Sequence, residues 1–363
     1  MTVLFLDLGA AYREMREEID AAVARVLESG HFIGGPELAA FERAFANQVG
    51  AAACAGVGNG LDALTLALRA MDVGRGDEVI VASNGFVATF LAVSMAGATP
   101  VPVEPDPATH NLDPTRIEAA ITPRTRVILP THLYGQPADM DAILAVARVH
   151  GLKVLEDGAQ AHGARYKGRP VGAHGDAVTW SFYPSKNLGA LGDGGAVTSN
   201  DPVLIERVRT LGNYGSHIRY VNQERGVNSR LDPIHAAVML AKLDRLDRWN
   251  DRRRAIAARY LTELAGTDLI LPVVPAWADP VWHLFVVRSP DREALMARLQ
   301  AVGVQTLIHY PIPPHRQQAY TDLGHGPGSF PIAEQLAQEV LSLPIGPHMT
   351  EVDVEKVITA VRG

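Results

Sequence analysis

Cysteine is almost missing from this chain. Cys54 is the single thiol, so no disulfide can close within the molecule, and no Asn-x-Ser/Thr glycosylation signal occurs. Aromatic residues are sparse at 6%, and there is no block of basic residues in a chain of net charge −7. Phosphate neutralisation along a nucleic acid needs a Lys/Arg patch, so nucleic acid is excluded as the main partner. Long apolar runs are lacking too. The nearest, Gly85–Val103, is uncharged but contains Thr89, Ser94, Gly97, Thr99 and two prolines. A spanning helix wants about 20 predominantly apolar residues, so a helix followed by a buried strand is expected there, and no membrane contact. Met1–Ala10 has neither the basic start nor the continuous apolar core of a signal peptide. Together these absences point to a reducing, cytoplasmic setting.

What is present is the composition of a folded protein, 47% apolar and 20% charged over 363 residues. That length suits two domains, or one large domain with an appendage. An amphipathic helix is expected over 12–28, with Ile19, Val23, Val26 and Leu27 as its apolar stripe and Gly30 as its stop. Short apolar runs at 77–81, 126–129 and 153–155 read as strands. Helical stretches at 61–71, 86–96 and 140–150 lie between them. Such alternation indicates βαβ units and a largely parallel sheet. After Leu231 a long helix is expected over 234–264. It is followed by an apolar run at 282–287, a helix near 292–302, a Pro/His-rich loop at 309–315 and a closing helix over 351–362. The expected architecture is α/β: a large domain over 1–231 and a smaller α+β domain over 232–363. No internal repeat or low-complexity tract interrupts it.

Three segments carry chemistry. The run Gly56-Val57-Gly58-Asn59-Gly60-Leu61 opens a helix, and exposed backbone N–H groups at a positive helix end suit an anion. Its glycine spacing is neither a dinucleotide fingerprint nor a P-loop. A tight turn before a helix explains it equally well. In Glu156-Asp157-Gly158-Ala159-Gln160, an apolar strand ends in two carboxylates. Strand alternation sends them to opposite faces, so only one should face a given pocket. Ligands of parallel sheets sit at the carboxyl ends of strands, and a buried acid needs a cationic or hydrogen-bonding partner. Taken alone, an acidic helix cap is the simpler account. Finally, Lys186 lies between the apolar run ending at Tyr183 and the glycines at 189, 192, 194 and 195. Lysine is ordinarily a surface residue. In apolar surroundings its amine would lose its proton more easily, the state that Schiff-base chemistry requires.

The order of these segments, with Asn84-Gly85-Phe86-Val87-Ala88-Thr89 and Gly226-Val227-Asn228-Ser229-Arg230-Leu231-Asp232 between and after them, resembles the sugar aminotransferases of the DegT/DnrJ/EryC1/StrS family. The likeness covers essentially the whole chain. It implies the aspartate-aminotransferase fold (pyridoxal phosphate fold type I) and pyridoxal 5'-phosphate (PLP) as cofactor, with pyridoxamine phosphate formed during turnover. By the resemblance, Lys186 holds the cofactor as a Schiff base and moves a proton, and Asp157 pairs with the pyridine nitrogen. Gln160 lies near the phenolic oxygen and Phe86 stacks on the ring. Gly60 and Leu61 offer N–H groups to the phosphate and Ser181 its hydroxyl. Asn228 reaches the phosphate of a neighbouring subunit, which implies a homodimer with shared active sites. His162 is placed behind these groups. The family usually has Thr or Ser where this chain has Leu61, so only a backbone contact remains there. Gly85 likewise replaces a common hydroxyl residue.

The segments 211–216, 228–232, 307–315 and 341–348 resemble a branch that installs an amino group at C-3 of nucleotide-linked, typically dTDP-linked, 3-keto-6-deoxyhexoses, with L-glutamate as donor. His309, Tyr310, His315 and Tyr183 are the expected sugar contacts, with Tyr214 a weaker one. Arg219 or Arg230 is expected to bind the glutamate carboxylate or the diphosphate. The spacing of His309 and His315 fits no zinc pattern, so no metal is expected. Three other activities share parts of this pattern. A pyridoxamine-dependent dehydratase would have His at position 186. Amination at C-4 or of a UDP-linked sugar belongs to the same family, and a regulatory homologue that binds PLP or a sugar nucleotide would not need the full set of groups.

Overall fold

The computed structural model describes residues 2–172 and 174–363. Seven strands form the central sheet: β1 (Ala53–Val57), β2 (Glu78–Ala82), β3 (Thr99–Val103), β4 (Thr125–Leu129), β5 (Lys153–Asp157), β6 (Ala177–Ser181) and β7 (Gly195–Ser199). Their order is β1-β7-β6-β5-β4-β2-β3. The pairs from β6 to β3 are parallel, while β7 runs antiparallel to both its neighbours. Every residue of β2 and of β7 is buried, the pattern of strands covered on both faces.

Twelve helices are formed by the described residues: α1 (Ala10–Glu14), α2 (Arg16–Ser29), α3 (Pro36–Val49), α4 (Gly60–Ala70), α5 (Ala88–Met95), α6 (Met140–His150), α7 (Pro202–Gly212), α8 (Pro233–Leu243), α9 (Leu246–Glu263), α10 (Arg292–Ala301), α11 (Pro331–Glu339) and α12 (Glu351–Arg362). On one face of the sheet, Leu64 and Leu68 of α4, Phe90 of α5 and Val208 of α7 pack on Val79, Val127 and Leu155. On the other, Phe41 and Phe45 of α3 pack with Trp180, Phe182 and Met239. Phe45, Trp180 and Phe182 meet edge to face at 5.2–5.3 Å, and each is fully buried. Burial of each such side chain contributes roughly 1.5–3 kcal/mol, which makes this a firm wall beneath the lysine loop.

A second core gathers around the antiparallel pair β8 (Phe285–Arg288) and β9 (Val340–Leu343), with Leu299 of α10, Val357 and Ile358 of α12, and Tyr260 of α9. The two cores are tied at the sheet edge. Glu104, just past β3, is buried, and its carboxylate accepts the Ile332 and Ala333 amides of the first turn of α11 at 2.7 and 3.0 Å. A carboxylate there satisfies amides that no intrahelical carbonyl reaches.

The strand and helix positions read from the sequence agree closely with these elements, and α6 and α12 coincide with the expected spans. Three expectations need correction. The first helix begins as the short α1 and continues as α2. Ile19 and Val26 are buried, Val23 is partly so, and Leu27 is 57% exposed. The helix expected over 234–264 is two helices, broken at Asp244-Arg245. Neither Gly nor Pro marks that break. α8 packs against α2 and α3, whereas α9 turns toward the second core. Ala236, Met239 and Leu243 of α8 share a cluster with Phe41 and Trp180, so the first core continues past residue 231. Among the described residues no helix is long and apolar enough to cross a membrane.

Candidate active site

The carboxyl ends of the parallel strands meet at one edge of the sheet. β5 ends at Asp157, which lies opposite Thr179 of β6, and β6 ends at Ser181. The chain then turns through Tyr183-Pro184-Ser185 to Lys186, whose amide bonds to the Tyr183 carbonyl at 2.8 Å. The two carboxylates closing β5 diverge, as alternation requires. Glu156 is wholly buried and paired with His132 Nε2 at 2.9 Å. It also accepts the His174 and Gly175 amides at 3.2 and 2.6 Å. Ala138 donates its amide to His132 Nδ1 at 3.0 Å, which leaves the Nε2 proton for Glu156. Burial would raise the Glu156 pKa, but these bonds hold it below the usual range. Glu156 is therefore internally satisfied, and Asp157 is the acid on the Lys186 side.

Asp157 accepts the Ala159 amide at 3.0 Å. Burial raises its pKa, opposed by that amide and by the positive charge of Lys186. Burial draws Lys186 the other way, down to about 8 from 10.5, with Asp157 opposing. An amine in that range is partly neutral at physiological pH and able to attack a carbonyl. A buried acid short of cationic partners suits a protonated ring nitrogen.

Facing these groups is the start of α4. Asn59 caps it, accepting the Asp62 amide at 2.8 Å. Gly60 must be glycine: a Cβ there would lie 2.7 Å from the Cβ of Ser181. Gly58 donates its amide to Ser229 Oγ at 2.9 Å, and Ser229 in turn donates to Asp62 at 2.6 Å, fixing the 226–232 segment beside the cradle. The side chain of Leu61 packs toward the apolar core, so only its first-turn amide could meet an anion at that position. Amides at a helix start, the Ser181 hydroxyl, a buried carboxylate and a primary amine fit a phosphorylated pyridine aldehyde.

Above the strand ends, two elements distant in sequence converge. Gln160 Oε1 accepts the Tyr134 amide at 2.6 Å, and its Nε2 donates to Tyr310 Oη at 3.1 Å. The Tyr134 hydroxyl donates to the His309 carbonyl. His309 also bonds Ser342 Oγ at 2.8 Å, and burial lowers its pKa to about 4. The exposed ring of Phe86 meets Tyr310 at 5.2 Å. Tyr183 is 53% exposed and its ring is unengaged by other aromatic rings among the described residues. The structure thus brings Gly60, Leu61, Asp157, Gln160, Ser181, Lys186, Phe86, His309 and Tyr310 into one linked cluster.

The remaining expected residues fare differently. His315 is buried against Phe330, ring centroids 4.7 Å apart, and pairs with Glu334 at 3.3 Å. That commitment ties its ring to Glu334 and Phe330, apart from the cluster that holds His309 and Tyr310. His309 and His315, close in sequence, serve different partners. His162 is fully buried among Phe45, Trp180 and Phe182, and neither of its nitrogens has a hydrogen-bond partner among the described residues. Burial and the nearby Lys186 hold it neutral, with a pKa of about 3. Asn228 is exposed. Arg230 donates to Asn213 at 2.9 Å and lies over Tyr214, while Arg219 lies over the exposed Tyr220. Sequence reading missed Tyr134 and Asn187. The latter donates to Asn250 Oδ1 at 2.8 Å and to the Val281 carbonyl at 2.9 Å, fixing the backbone next to Lys186. The signal for Asn187 was its place beside the lysine. Tyr134 left a fainter one, in the glycine that follows it.

The family model for the DegT/DnrJ/EryC1/StrS aminotransferase family matches residues 13–362. The chain is 56% identical over 363 residues to the "Erythromycin biosynthesis sensory transduction protein EryC1" of Saccharopolyspora erythraea, covering 100% of this chain and 99% of that one. It is 55% identical over 357 residues to the "dTDP-3-amino-3,6-dideoxy-alpha-D-galactopyranose transaminase" of Aneurinibacillus thermoaerophilus, covering 98% of each. The solved structure of Streptomyces venezuelae DesV "in complex with ketimine intermediate" superposes with a TM-score of 0.98 at 55% identity, over 99% of this chain and 98% of that one.

Proposed function

The chain belongs to the DegT/DnrJ/EryC1/StrS aminotransferase family, and from that premise we propose that it transfers the amino group of L-glutamate to C-3 of a dTDP-linked 3-keto-6-deoxyhexose, with PLP as cofactor. The observation that carries this reading is the convergence of Lys186, Asp157 and the α4 start at the strand ends. Bound there, PLP supplies an electron sink that stores an amino group and releases it. Asp157 is suited to hold the ring nitrogen protonated. The first-turn amides of α4 and the Ser181 hydroxyl are suited to the phosphate, and Gln160 and Phe86 to the ring. Lys186 is suited to carry a proton to and from the reacting carbon, since its amine can both accept and return one near neutral pH. Tyr183, His309 and Tyr310 are suited to receive the sugar. The C-3 assignment leans on the Aneurinibacillus relative, named for a 3-amino sugar product.

A regulatory role is suggested by the name of the Saccharopolyspora relative, but a pure sensor has no need of a lysine poised for proton transfer. We also read the protein as a homodimer, in which the exposed Asn228 reaches the neighbouring subunit's phosphate cradle; sedimentation in solution tests this. The decisive experiment mixes PLP-loaded protein with glutamate, follows loss of the visible lysine-bound absorbance, then adds dTDP-linked 3-keto and 4-keto sugars in parallel. The expected product carries its amine at C-3 by NMR. Turnover of the 4-keto sugar alone overturns the regiochemistry, and protein that stays colourless after PLP overturns the cofactor assignment.

A further inference from the structure

A cavity of about 320 Å³ opens beside Lys186, walled by the N-terminal segment around Tyr12, the lysine loop and helices α8 and α9. Two buried cations line it in addition to Lys186. Lys242 is 7% exposed and donates to the Gly189 carbonyl at 2.7 Å, which uses one of its three protons. Arg253 is 3% exposed. Its Nη1 reaches the carbonyls of Trp282, His283 and Ile345 at 3.1, 3.4 and 3.1 Å, but its Nε–H is buried with no hydrogen-bond partner among the described residues.

Neither cation has a counter-charge. Among the described residues no carboxylate forms an ion pair with Lys242 or Arg253. Asp7, on the cavity wall, is paired with Arg13, and nearby Glu14 is shared by Arg252 and His348. Burial pulls Lys242 down to about 8 and Arg253 to about 10, with no opposing charge to restore them. A buried positive charge without a partner is costly, and the cost is relieved when an anion arrives. The volume is at the small end of ligand sites, room for a short dicarboxylate but not for a whole sugar nucleotide.

We propose that the cavity bounded by Lys186, Lys242 and Arg253 is the carboxylate pocket of the amino donor. This rests on the aminotransferase reading above, in which the donor must present its amine next to Lys186 and place an acid group within a few bonds of it. Arg219 and Arg230, the cations expected from the sequence, do not line this cavity: Arg219 lies over Tyr220 and Arg230 donates to Asn213.

The test uses holoenzyme and maleate, a dicarboxylate that cannot be transaminated, titrated by calorimetry and by the visible spectrum. Lys242→Gln keeps a donor for Gly189 and removes the charge; Arg253→Lys keeps the charge and alters the donors. Lys242→Gln should weaken maleate binding and raise the glutamate KM by about tenfold or more, as expected for one charge-assisted bond. That effect should exceed any on the reverse half-reaction from the amino sugar by about the same factor, and Lys242→Arg should recover most of it. Arg253→Lys should weaken maleate too, which keeps the question answerable if Lys242→Gln does not fold. Unchanged maleate affinity in both variants overturns the proposal. So does a loss confined to the sugar half-reaction, which would give the cavity to the diphosphate. If wild-type protein binds maleate yet accepts no amino donor, it is the aminotransferase reading that fails.

Discussion

Asp157 and Ser181 end neighbouring strands whose register is set by backbone ladders, and Lys186 follows on the tight turn that leaves the second of them. His309 and Tyr310 reach the same place on a loop from the second core, tied to the first by two side-chain bonds, from Tyr134 and from Gln160. Many mutually supporting bonds hold the first group, so its geometry resists single changes. Few hold the second, so one substitution can shift it. Reaction chemistry common to many substrates belongs on the firm part, and discrimination between substrates on the adjustable part. The Phe45–Trp180–Phe182 wall strengthens the contrast, because it backs only the lysine side.

The contrast can be sharpened first at Lys186. With a pKa near 8, the neutral amine of the cofactor-free protein should increase about tenfold per pH unit below that value. The second-order rate of PLP capture, read by visible absorbance, should therefore rise about fiftyfold from pH 6 to 8 and level off after about a further doubling. A rise that continues to pH 10 would mean an unperturbed, solvated lysine. A smaller effect is expected at Tyr134→Phe, which removes the bond to the His309 carbonyl. Loss of one neutral hydrogen bond, about 1 kcal/mol, should raise the sugar KM roughly fivefold and leave the glutamate half-reaction alone. Equal losses in both half-reactions would erase the proposed division between the two regions. The smallest kinetic change is expected at His315→Ala. Thermal unfolding should show about 1–3 kcal/mol of lost stability, with kcat and KM nearly unchanged. A selective rise in sugar KM would return His315 to the pocket.

This division also explains what could be read from the sequence. Gly60, Asp157, Ser181 and Lys186 lie in short segments whose residue types announce strand ends, a helix start and a tight loop, so local patterns marked the segments and the family resemblance assigned the roles. Tyr134 and His309 are 175 positions apart and meet only through tertiary packing. His315 looked like its neighbour His309 until Glu334 and Phe330 enclosed it. The α8–α9 break was invisible because apolar periodicity runs through Asp244-Arg245 without a glycine or proline. Nothing in the sequence singles out Lys242 or Arg253, since burial of a charge in an amphipathic helix leaves no mark on its pattern. Of the two adjacent acids, alternation predicted that they would part but could not say which would find His132.

The near-contact between positions 60 and 181 sets a rule for how such a site can diversify. The two residues lie far apart in the chain, yet a side chain at one consumes the room required by the other. Gly60 can therefore gain a side chain only if position 181 gives up its own.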